Sequence, residues 1–209
     1  MNVLLTDVLT CPRCGPEFGL ILLAHEVRER RVREGELGCP NCRDRFPIHR
    51  GFADLRAPPR SPLDDTPEEI GAEEGSGPDP LTLAACLAVT EGPGFMVFIG
   101  EVGLAAASVA GLVGGVEVVV VEPRAARWPQ SPGVSRLAVW PGLPFRGGAR
   151  GLVIDRDHWP EWKEEVLRVA GPQARIVLVG PDPEGSAPAD VTPLVTVLDE
   201  SGYTVLARE

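Results

Sequence analysis

The 209-residue chain lacks a basic, apolar, cleavable leader after Met1-Asn2-Val3, so nothing in it directs export to an oxidising compartment. No apolar run approaches the length of a membrane span, which predicts a soluble, cytoplasmic protein without a membrane partner. Basic charge is short as well: 20 Lys and Arg stand against 30 Asp and Glu, a net charge of −10. That balance argues against a protein held to nucleic acid by phosphate neutralisation. Lysine is almost absent, with Lys163 alone, and the wealth of Ala, Gly, Pro and Arg fits a coding bias rather than a function. There is no internal repeat.

Cysteine is present in a specific pattern. Cys11-Pro12-Arg13-Cys14 and Cys39-Pro40-Asn41-Cys42 are two C-x-x-C knuckles separated by 24 residues. Each turn presents two sulfurs to one ion, and the two turns together complete a tetrahedron of soft ligands suited to Zn²⁺. Four protein ligands make a closed, structural site. A hairpin arm accounts for a gap slightly longer than the usual spacing. Two disulfides, the competing reading, would need the oxidising compartment that the sequence does not call for. His25 and His49 are assigned to the hairpin and the surface.

Three segments follow. Residues 1–56 carry the cysteines, with nine Arg against eight acids. The arginine run Arg28–Arg33 is interleaved and flanked by Glu26, Glu29, Glu34 and Glu36, which predicts a solvated hairpin arm turning near Glu34-Gly35. Residues 57–80 hold one Arg, seven acids and many Pro and Gly, and read as a mobile linker. Residues 81–209 alternate strand and helix signals. These include a helix from Leu81, the valine strand Val116–Val121, and a helix Trp159–Ala170 with Trp162, Val166 and Val169 on one face. A last helix from Asp190 to Gly202 and a final strand from Tyr203 end the pattern. The prediction is an α/β fold: a small zinc ribbon plus a trimmed, Rossmann-like, mostly parallel sheet with helices on both faces.

The first segment resembles the zinc-ribbon family of small activator subunits that bind methyltransferases acting on tRNA, rRNA and release factors. Leu4-Leu5, Val8-Leu9-x-Cys11-Pro12, Gly38-Cys39-Pro40 and Phe46-Pro47-Ile48-x-x-Gly51 carry the resemblance. It implies a non-catalytic module that shields an apolar surface of its enzyme by sheet addition and apolar contacts. The third segment resembles a class I methyltransferase. Glu101-Val102-Gly103 stands where that family has its cofactor loop, and Glu122 stands at the end of the valine strand, where an acid receives the ribose hydroxyls. The resemblance implies S-adenosylmethionine as cofactor, with Glu101, Gly103 and Glu122 as its contacts.

Departures from that pattern argue against the cofactor. Two loop glycines are replaced by Ala105 and Ala107, whose methyl groups are expected to narrow the pocket and forbid positive φ. Trp140-Pro141 replaces an acid near the adenine, and Trp140 is expected to fill that slot. A Pro-broken stretch replaces a helix after Glu122, and the antiparallel last strand is expected to be missing. Asp155, Asp157 and His158 follow the fourth strand at the carboxyl edge and are candidate acid–base residues; a polar loop capping the next helix is the plainer reading. Two functional classes follow. One is a zinc-binding interaction or scaffold protein, not an enzyme, with a protein partner or self-association. The other is an active methyltransferase carrying its own activator ribbon.

Overall fold

The computed structural model describes residues 1–68, 77–181 and 194–208. The first segment contains β1 (Thr10–Cys11), β2 (Gly15–Gly19), β3 (Ile21–Arg28), β4 (Arg31–Gly38), β5 (Arg45–His49) and β6 (Phe52–Arg56), after a 3-10 turn at Val3–Asp7. Then come α1 (Pro80–Leu87), β7 (Glu91–Ile99), α2 (Ala106–Leu112), β8 (Gly114–Val121), β9 (Val134–Trp140), β10 (Ala149–Asp155), α3 (Trp159–Val169), β11 (Ala170–Val179), β12 (Leu194–Glu200) and β13 (Tyr203–Arg208).

Local chemistry explains the main elements. Asp79 caps α1 by accepting from Thr82 N, and Pro80 sits in its first turn, where a missing N–H costs nothing. In α3, Trp159, Trp162, Val166 and Val169 recur at helical spacing and are all buried. Residues 116–121 of β8 are buried on both faces, as a nearly unbroken valine run requires of a central parallel strand.

Among the described residues, one sheet of eleven strands runs in the order β12-β13-β11-β10-β7-β8-β9-β6-β5-β4-β3. Strands β7 to β11 are mutually parallel. The ribbon continues this sheet. β6 pairs in parallel with β9 from Phe52↔Arg136 to Arg56↔Trp140, and β5, β4 and β3 follow as an antiparallel meander. Sheet addition, the mode implied by the ribbon family, is realised here within one chain.

The two faces of the sheet have separate cores. One packs α1 and α2 on Met96, Phe98, Val118, Val120 and Val153. On the other, α3 covers Leu152, Ile154, Ile176 and Leu178, and the ribbon covers Val97, Val119, Leu137 and Val139 through Leu5, Leu9, Leu37 and Phe46.

Four expectations are corrected. Over 194–200 the chain is strand, not helix: Val195, Thr196 and Val197 are β-branched and pair with β13, while residues 182–193, with the Asp190 cap, lie outside the described residues. The antiparallel last strand is present, since β13 runs antiparallel to both β11 and β12. The ribbon hairpin turns at Glu29-Arg30, both at positive φ, and not at Glu34-Gly35. Gly35 is instead a strand residue where a Cβ would come 2.6 Å from Leu23 O. Finally, Arg31 is not solvated but forms an ion pair with Glu117.

Within 57–68, the described acids have basic partners. Asp65 pairs with Arg50 at 2.6 Å, Asp64 and Glu68 approach Arg127, and Glu68 also approaches Arg124. Leu63 packs against the second core.

Candidate metal centre and carboxyl-edge cleft

The two knuckles converge. Cys11 ends β1, Cys39 follows β4, and Cys14 and Cys42 lie in the succeeding turns. Gly15 at φ +92° and Arg43 at φ +65° turn the chain back after each pair. All four Sγ atoms lie within 4.8 Å of one another. Cys11 and Cys42 are 3.7 Å apart, and Cys14 and Cys39 are 3.8 Å apart. A zinc–sulfur bond of about 2.3 Å in a regular tetrahedron requires sulfurs about 3.8 Å apart, so these two pairs already have the spacing that a Zn²⁺ site needs. Cys14 N and the Asn41 side-chain amide donate to sulfur at 3.4 Å, the partners a thiolate wants.

Without a cation, the cluster resists ionisation. Burial pushes the Cys11 thiol up to about 11 and also raises Cys42. Cys39 lies below the ordinary thiol value: burial opposes its ionisation, but the backbone N–H groups of Cys42 and Asn41 and the neighbouring sulfurs of Cys11 and Cys42 favour it. A divalent ion removes the conflict by letting all four ligands ionise.

The centre is seated on the sheet. Thr10 N donates to Pro144 O at 2.8 Å, and Arg146 N donates to Val8 O at 2.9 Å. Below this contact, Arg168 of α3 donates to Phe145 O at 2.6 Å and Leu143 O at 2.7 Å, while Glu165 accepts from Leu143 N at 2.7 Å. The loop under the first knuckle is therefore fixed by α3. The pairing of Thr10 with Pro144 and of Val8 with Arg146 has no signal in the sequence, because it joins positions more than 130 residues apart.

At the carboxyl ends of the parallel strands, a cleft of about 800 Å³ opens over the switch from β7 to β10, where open α/β sheets bind ligands. Glu101, Ala105, Glu122, Asp155, Asp157 and His158 line it, so the structure gathers most of the predicted cofactor and acid–base residues in one place. Gly103 lies on the same 3-10 turn but is buried. A Cβ there would come 2.5 Å from Val120 and 3.2 Å from the Trp128 ring, so packing explains the glycine.

Several of these groups already have partners within the protein. Asp155 Oδ2 accepts from Val102 N at 3.2 Å, across Gly100 at φ +96°. Any Cβ at Gly100 would collide with that oxygen, so the glycine exists to admit the carboxylate. Burial raises the Asp155 pKa; the Val102 and Glu101 amides and the nearby His158 oppose that rise. Glu122 caps the following 3-10 turn by accepting from Arg124 N at 2.9 Å. Arg124 pairs with Glu101.

Two expectations about the cleft change. Trp140 is 52% exposed and does not line it, since β9 delivers it toward β6. Ala105 lines the cleft but is helical, at φ −78°, and Ala107 is exposed and outside the lining. The loop therefore winds into a helix and needs no positive φ at either alanine. Cys86 is buried in the second core, where burial raises its pKa, as expected of a packing residue.

A buried acid escaped the sequence reading. Glu117 is the only charge in the valine strand, and by sequence the strand reads as an apolar run. It receives both Nη atoms of Arg31, at 2.6 and 3.0 Å, the Ser135 hydroxyl at 2.6 Å and the Asn2 amide at 3.0 Å. A single acid inside a strand buried on both faces was the available signal.

Among the described residues, no helix is long and apolar enough to cross a membrane. Comparison with curated proteins finds no match. Among solved structures, the chain is similar to a SAM-dependent O-methyltransferase from Thermotoga maritima, at 14% identity and a TM-score of 0.38. The alignment covers 63% of this chain and 64% of that one, just under two thirds of its length. Residues 2–51 match the family described as Trm112p-like protein, and they form a Trm112p-like zinc ribbon domain that carries the four-cysteine cluster.

Proposed function

We propose that the protein is a non-catalytic, cytoplasmic, zinc-binding interaction or scaffold protein built on a worn methyltransferase fold. Zinc bound by Cys11, Cys14, Cys39 and Cys42 locks the ribbon onto the sheet, and the sheet presents surfaces to a protein partner or to a second copy. The observation that carries the reading is the Asp155 carboxylate on the backbone N–H of Val102. In a dinucleotide-type fold the amides after the first strand are the groups left free for a ligand. Here one is engaged by the protein's own acid, which also adds negative charge to a cleft containing Glu101 and Glu122.

A second reading is favoured by the size of the cleft. About 800 Å³ at the switch point is ample for a small cofactor, with Glu101, Gly103 and Glu122 positioned near it and Asp155, Asp157 and His158 as acid–base candidates. The protein would then be an S-adenosylmethionine-dependent methyltransferase carrying its activator in cis. Thermal unfolding with and without millimolar S-adenosylmethionine separates the two. The scaffold reading expects an unchanged Tm, and a rise of several degrees would favour the enzyme.

A further inference from the structure

The amino edge of β9, at the opposite end of the parallel strands from the cleft, holds arginine charge that the surrounding acids do not balance. Arg31, Arg33 and Arg136 line a cavity of about 450 Å³ together with Gln130, Ser131 and Glu29. Arg31 is neutralised by Glu117, and nearby Arg50 by Asp65 at 2.6 Å. The other two are not. Arg136 is buried, and among the described residues its guanidinium bonds only to carbonyls, those of Ala125, Trp128 and Arg50. Arg33 Nε is buried without a hydrogen-bond partner, and the Arg33 guanidinium forms no ion pair among the described residues. Burial first, and then the neighbouring Arg50 and Arg33 charges, push the Arg136 pKa down to about 10.

Two guanidinium groups without acids are unexpected in a chain of net charge −10. Holding the buried Arg136 charge without a counter-ion is unfavourable, and a bound anion supplies one. The planar, multiply donating guanidinium suits phosphate oxygens. Glu29, the one acid in the lining, is exposed in the β3–β4 turn and acts on an anion through solvent, where screening is strong. The volume exceeds that of a bare ion and falls in the range of small-molecule sites, about 300–1,000 Å³.

We infer that this cavity binds a phosphate dianion, free or as the head of a small phosphomonoester, with Arg33 as its direct ligand and Arg136 supplying the field behind it. The ligand would bridge the ribbon, through β4, to the start of β9, and so would add to the clamp between the two parts of the chain.

The test uses the full-length zinc-loaded protein. Unfolding is followed in inorganic phosphate, in glycerol 3-phosphate and in sodium chloride at matched ionic strength, with calorimetry on the same ligands. A phosphate-dependent rise in Tm beyond chloride is expected. Arg33→Gln should weaken binding at least tenfold while leaving the ligand-free protein folded, Arg33→Lys should retain part of the affinity, and Arg28→Gln, a surface control that pairs with Glu26, should bind as the parent does. Tighter binding of glycerol 3-phosphate identifies a phosphomonoester, and equal or weaker binding identifies the free ion. The inference is overturned if phosphate does no more than chloride, or if Arg33→Gln binds as tightly as the parent.

Discussion

Arg31 of the ribbon and Glu117 of β8 form a two-point ion pair at 2.6 and 3.0 Å, with side chains only 20% and 10% exposed. The pair crosses the boundary between the ribbon and the sheet, and Ser135 and Asn2 satisfy the remaining carboxylate positions. Its value is largely in what its loss would strand. Glu117→Ala leaves Arg31 without a counter-charge in a mostly desolvated site, an effect of about 3–5 kcal/mol. Chemical denaturation should show that loss, while Arg31→Met with Glu117→Leu should cost less than Glu117→Ala alone.

Metal analysis of protein purified without added zinc should give close to one equivalent per chain. The knuckle at Cys11 is bonded to the loop at 144–146, and the ribbon shares a core with β7–β9. Chelation should therefore lower the Tm of the whole chain rather than melt the ribbon alone, and Cys39→Ser should do the same. A metal-free protein with unaltered Tm would contradict the role assigned to the cysteines.

Glu165 carries a pH dependence of known sign. The Arg168 guanidinium, above all, holds its pKa below the ordinary carboxylate range, against the opposing effect of burial. A depressed acid stabilises the folded state above its unfolded pKa, and the contribution fades as pH falls through the folded value. The stability difference between the parent and Glu165→Gln should accordingly be full at neutral pH. It should shrink below the ordinary carboxylate range, as read from urea midpoints measured across the acid limb.

Gly100 and Asp155 should be coupled. At φ +96° a side chain is strained, and a methyl group would also collide with the Asp155 carboxylate. Gly100→Ala should cost more than about 1 kcal/mol. The double variant Gly100→Ala/Asp155→Ala should cost less than the sum of the single ones, since the second change removes the clash. Additivity in that cycle would show that the carboxylate does not contact the loop.

Sequence patterns report what is local. The C-x-x-C spacing places four sulfurs, the valine run locates the central strand, and the helical period of Trp162, Val166 and Val169 gives α3 its buried face. What stayed hidden depends on distant pairing. Glu117 reads as a blemish in an apolar strand until Arg31, 86 residues away, is placed beside it. Val195 to Leu198 reads as helix from its cap and as strand only once β13 supplies a partner. Trp140 stands at the expected end of β9, but the pairing of β9 with β6 holds it outside the cleft. Gly100 and Gly103 look like ligand-loop glycines, whereas their constraints come from Asp155 and Val120.

On the proposed reading, the carboxyl-edge cleft does not serve a methyl donor. Titration calorimetry with S-adenosylmethionine decides this, on the parent protein and on Glu122→Ala, which removes an acid lining the cleft. No heat beyond dilution is expected at sub-millimolar cofactor for either protein. A micromolar isotherm in the parent that disappears in Glu122→Ala would contradict it and would make the protein a methyltransferase with a built-in activator.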